Sequence, residues 1–136
     1  MKKISLIFAV MALLLACNSG KTKVNETTLG TYEGILPCAD CAGINTVLRL
    51  YKDGDKYMFE LKETYLGKGD EQTYIYKGVA NVLNELDDLK NATIYELFSD
   101  DLELKLYFMA VDGNLQMLDT EGKIINSTLN YTLIKK

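Results

Sequence analysis

From residue 29 onward the chain alternates apolar and polar residues with period two, and turn-forming clusters interrupt it repeatedly. A period of two is that of a pleated strand with one face inward, so this pattern restricts the fold to sheets whose strands reverse at tight turns. In residues 45–51, Leu48 and Leu50 take one face while Asn45, Val47 and Arg49 take the other. Asp53-Gly54-Asp55 supplies a turn, and residues 57–66 return. There Met58, Glu60, Lys62 and Thr64 oppose Phe59, Leu61 and Glu63, so the alternation is imperfect. Gly67-Lys68-Gly69-Asp70 is the next turn, followed by a tyrosine- and isoleucine-rich strand over 72–79. Residues 93–98 and 102–111 read as two more strands, with Asp100 and Asp101 between them. Turns at Asp112-Gly113-Asn114 and Glu121-Gly122-Lys123 punctuate the last strands, over 115–118 and 127–134.

The expected fold is therefore all-β, a small antiparallel meander of about eight strands forming a barrel or a sandwich. Closure into a barrel would remove the sheet edges. The weakest stretch is 81–90, whose apolar positions 82, 83, 86 and 89 fit helical spacing as well as a strand. It is read as a loop with a helical turn. Tyrosine is abundant, at 9 residues, which favours strands.

The N-terminus carries a separate signal. Lys2 and Lys3 precede an apolar run from Ile4 to Leu15, a length that suits a secretory leader and is too short for a membrane span. The run closes with Leu14-Leu15-Ala16-Cys17. This resembles the lipobox of bacterial lipoproteins, which implies a diacylglycerol on Cys17 and cleavage before it. A chance cysteine in an ordinary signal peptide is the competing reading. Asn18 follows Cys17; in enterobacterial sorting an aspartate there resembles an inner-membrane retention signal, and its absence implies the outer membrane, periplasmic side. The expected organisation is a lipoprotein signal peptide over 1–16, a polar lipidated tether over 17–28 and one domain over 29–136.

Composition excludes several functions. The net charge is −4, and the leader removes two of the lysines, so the mature chain is more acidic still. No basic stripe offers itself to nucleic acid. There is no histidine, which removes Ser-His-Asp and Cys-His catalysis and every histidine metal site. The acids fall mostly at turns, such as Asp53, Asp55, Asp70 and Asp112, where solvated turn residues are the ordinary reading. No convergent acid–base pair can be named, and the chain is read as a non-enzyme.

One motif carries chemistry. Three cysteines are an odd number for an exported chain; lipidation of Cys17 leaves Cys38 and Cys41 as a pair. They stand in Leu36-Pro37-Cys38-Ala39-Asp40-Cys41-Ala42-Gly43-Ile44, a tight loop between strands. A short-loop structural disulfide, a soft-metal site for Cu(I) and an envelope redox switch all fit. Two cysteines without histidine supply half of a zinc site. A thioredoxin-like catalyst fits poorly, because a strand follows the motif and Asp40 would raise the thiol pKa.

The stretch from Gly30 to Ile44, with Thr46-Val47-Leu48-Arg49-Leu50 after it, resembles the N-terminal domain of the copper-resistance lipoprotein NlpE family. Tyr32, Gly34, Leu36 to Cys41, Gly43 and Ile44 match that family's pattern, and Thr64-Tyr65-Leu66-Gly67-Lys68-Gly69-Asp70 resembles its second block. Tyr74, Tyr76 and Gly78 stand where the family's tryptophan-containing strand is usual, and larger members carry a second, OB-like domain. The resemblance implies a lipocalin-like barrel on an outer-membrane lipoprotein. It also implies a role in copper tolerance or in envelope stress signalling through a sensor protein, with Cys38 and Cys41 as the residues concerned. The alternative is a lipocalin-like module that binds a small apolar ligand and uses the cysteine pair only as a structural disulfide.

Overall fold

The computed structural model describes residues 26–102 and 105–136. The expected leader, Cys17 and the expected tether up to residue 25 lie outside the described residues. Eight strands run in chain order: β1 (Glu26–Leu36), β2 (Gly43–Asp53), β3 (Lys56–Leu66), β4 (Gln72–Leu83), β5 (Ile94–Phe98), β6 (Leu106–Val111), β7 (Asn114–Met117) and β8 (Thr132–Lys135). Each pairs antiparallel with its successor, and β8 pairs back with β1, so the sheet closes. This is the up-and-down, eight-stranded arrangement of lipocalins, and among the described residues there is no helix.

The alternation predicted from sequence decides what lies inside. Leu48 and Leu50 on β2, Phe59 and Leu61 on β3, Leu97 on β5, Phe108 on β6, Leu115 on β7 and Leu133 on β8 are all essentially inaccessible to solvent. Together with Tyr32, Leu36 and Ala80 they form one cluster that fills the barrel. The seam between β1 and β8 is short, pairing Tyr32 with Lys135 and Glu33 with Ile134. Gly34 permits that closure: a Cβ there would lie 2.7 Å from the Thr132 carbonyl oxygen.

Four stretches depart from the sequence reading. The sheet continues through the expected loop at residue 81, since Val82 pairs with Tyr95 and Leu83 with Ile94. The helical turn expected over 81–90 does not form; Leu86 and Leu89 instead exchange backbone hydrogen bonds across Asp87, which takes a positive φ of 47°. Cross-strand hydrogen bonds outweigh a local spacing that suited either structure. β6 starts later than expected, because Ser99 organises a turn before it. Its Oγ accepts from the Asp101 amide at 3.3 Å, and its carbonyl accepts from Leu102 at 3.1 Å. β8 likewise starts late, after Asn130 has used its side-chain amide on the carbonyls of Ile35 and Thr132. At the other end, β1 begins at Glu26, so the ladder reaches into the segment read as tether.

The up-and-down order sorts the connections between two ends. The β1–β2, β3–β4, β5–β6 and β7–β8 connections share one end, called here the mouth. The chain enters β1 at the opposite end, where Glu26 pairs with Asp53.

Candidate functional site

Residues 37–42 form the β1–β2 connection at the mouth. Leu36 is buried and pins its start. Gly43, at φ 153°, begins the next strand where a Cβ would lie 2.6 Å from Ile35 Cγ2. Between these two points the chain must reverse in six residues, and Cys38 and Cys41 come together across the reversal. They are joined as a disulfide with a Cα–Cα distance of 5.3 Å, inside the range that bridged cysteines occupy. Both cysteines are partly buried, while Ala39, Asp40 and Ala42 are exposed.

A second turn supports the loop. The Ala42 amide donates to the Leu66 carbonyl at 2.9 Å, and Lys68 Nζ lies 2.6 Å from Asp40 Oδ2. Gly67, at φ 78°, lets the β3–β4 turn press on Ala42, where a Cβ on Gly67 would approach the Ala42 Cβ to 2.9 Å. The hydrogen bond from Lys68 holds the Asp40 carboxyl below the usual aspartate range. Asp40 Oδ1 also lies 3.6 Å from Cys38 Sγ. In the bridged state that sulfur carries no hydrogen, so the approach is a contact and donates nothing.

Among the described residues, Cys38, Asp40 and Cys41 are the cluster whose donor atoms converge, all within 4.8 Å of one another. The acids at Asp53, Asp55, Asp70 and Asp112 do not join them; they stand at separate turns. Sequence reasoning found the pair of cysteines but missed that the two motif blocks, around Pro37 and around Gly67, meet in space. The glycines at 67 and 69 signalled a tight turn, without showing what it would pack against.

The family model described as NlpE N-terminal domain matches residues 32–128, a stretch that contains the loop, its supporting turn and most of the barrel. The chain belongs to the NlpE family. Lipoprotein NlpE of Escherichia coli (strain K12) is 38% identical over 105 residues, which is 76% of this chain and 39% of that protein. This chain thus spans well under half the length of the relative it matches. No solved structure matches the chain.

The NlpE domain also holds a carboxylate that the sequence flagged only as a break in alternation. Glu63 follows Phe59 and Leu61 on the inner face of β3 and lines a cavity of about 300 Å³ at the mouth. Burial pushes its pKa up. An acid whose folded-state pKa is raised binds its proton more tightly when folded, so its contribution to stability falls as pH rises through that pKa. Glu63→Gln is therefore expected to raise the melting temperature at pH 8 relative to wild type and to leave it nearly unchanged at pH 4. Thermal melts at the two pH values check this; equal effects at both would show that desolvation of the carboxylate is not the cause.

Proposed function

We propose that this protein is a non-enzymatic envelope lipoprotein, anchored through lipid on Cys17, whose Cys38–Cys41 loop acts in copper tolerance or envelope stress sensing. The observation that carries the reading is the placement of the pair. The disulfide sits on an exposed connection outside the packed barrel, beside an ordered carboxylate, and at the end opposite to where the chain enters from residue 26. An 11-residue β1 at roughly 3.3 Å per residue separates those two ends by about 30 Å. An anchor at Cys17 then joins the domain through the end opposite to the loop, which leaves the loop open to a sensor protein or a metal. The segment over 1–16 is a signal peptide and the polar residues after Cys17 are the tether, on the outer membrane's periplasmic side.

A Cu(I) ion suits two thiolates, and a lone pair tolerates its low coordination. Cys38 and Cys41 would hold it, with Asp40 beside them. Two-electron reduction of the bridge by a dithiol must come first, because the bridged sulfurs are not thiolates. The pair is expected to resist alkylation in untreated cells and to become alkylated after reductive stress, as read by thiol trapping on the intact cells. A bridge that stays closed in both conditions makes the loop structural. The second reading, a binder of a small apolar ligand, draws support from the cavity beside the loop.

A further inference from the structure

The mouth cavity is walled mainly by hydrocarbon, from Leu36, Pro37, Leu106, Met117 and Leu118. At about 300 Å³ it stands at the low end of the range of roughly 300–1,000 Å³ typical of small-molecule sites. Its polar groups differ in how they are employed. Lys105 Nζ lies 2.9 Å from Glu96 Oε1 on β5. Asp119 Oδ1 accepts the amides of Glu121 at 2.9 Å and Lys123 at 2.8 Å, so it is spent on its own turn. Glu63 accepts no hydrogen bond from the other described residues; it is half-buried, and water still reaches its carboxylate. Its cross-strand neighbours are Thr46 on β2 and Tyr74 on β4, and Tyr65 lies two residues on; neither phenol donates to it, and the Thr46 hydroxyl donates to the Ile44 carbonyl. A carboxylate at the edge of an apolar wall, with water as its donor, is a group whose hydrogen bonds a ligand can take over.

We propose that the cavity binds a small amphiphile with a protonated amine at one end of an apolar body, Glu63 serving as its counter-ion. The proposal rests on the apolar-binder reading and adds the head-group chemistry. An ionised carboxylate only accepts hydrogen bonds, and an ammonium brings three donors and the opposite charge. The pair forms against an apolar wall, where its attraction is stronger than in water. An anionic amphiphile would set its charge against both Glu63 and Asp119, and an alcohol would offer one neutral hydrogen bond. The amine could be free in solution or part of a phospholipid head group.

The test titrates the purified protein at pH 7.5 with octylamine, octanol and octanoate below their aggregation limits, following amide shifts by nuclear magnetic resonance. Dihexanoyl phosphatidylethanolamine against dihexanoyl phosphatidylcholine separates the lipid source from the free amine. Octylamine is expected to bind at least tenfold more tightly than octanol, with octanoate weakest. In Glu63→Gln the amine affinity should fall to that of octanol, while octanol affinity stays the same. Octylamine, and not octanol, should also lower the carboxyl pKa of Glu63. If octanol and octylamine bind equally, or if Glu63→Gln leaves amine affinity intact, the head-group proposal is overturned while the apolar-binder reading stands. If none of the ligands binds, both fail.

Discussion

In cells carrying Cys17→Ala, the protein is expected in the soluble fraction with no fatty acid attached. On the proposed lipoprotein reading, the lipobox-like run from Leu14 to Cys17 puts the acyl chains at that cysteine, and each buried CH₂ of such a chain contributes about 0.8 kcal/mol to membrane binding. Loss of several chains removes far more than any surface contact of a small acidic domain could restore. The described residues contain no helix long and apolar enough to span a bilayer in its place. Fractionation with a radiolabelled fatty acid reads the result. Label in the mutant, or a mature wild-type N-terminus at a residue other than 17, would contradict the lipoprotein reading.

The second large effect is on folding. Phe59 is wholly buried at the centre of the barrel cluster, so Phe59→Ala leaves a cavity and is expected to cost about 3–5 kcal/mol. Against a total stability of about 5–15 kcal/mol, that lowers the melting temperature by on the order of 15 °C or more for a domain of this size. Phe98 provides the control. It lies on β5 yet is 48% exposed, and Phe98→Ala should change stability by about 0.5 kcal/mol or less. Paired thermal or urea unfolding of the two variants measures the contrast. Equal losses would mean that the alternation does not decide which face is core.

Strand periodicity made most of this fold readable from sequence, because a one-residue slip would turn Leu48, Leu50, Phe59 and Leu61 to solvent together. Boundaries were less readable where hydrogen bonds from single side chains set them, as Ser99 and Asn130 do. The stretch from residue 81 was ambiguous because its spacing served helix and strand alike; pairing with β5, a tertiary fact, resolved it. At the site, the cysteine pair was evident from its spacing, whereas the Lys68–Asp40 contact spans 28 residues and has no local signature. Glu63 was visible as the residue that broke the inward pattern on β3, and the break marks the place where the packed core gives way to the cavity.

The central claim is that the Cys38–Cys41 loop carries function without carrying the fold. A loop this short removes little unfolded-state entropy when bridged, and the core lies elsewhere in the barrel. The most direct test is growth in copper of cells whose chromosomal copy carries Cys38→Ser and Cys41→Ser, with protein abundance measured in the same cultures. The account predicts normal abundance together with loss of copper tolerance or of the stress response. A double mutant that is equally abundant and fully tolerant and responsive would contradict it, as would a defect that merely tracks a fall in abundance.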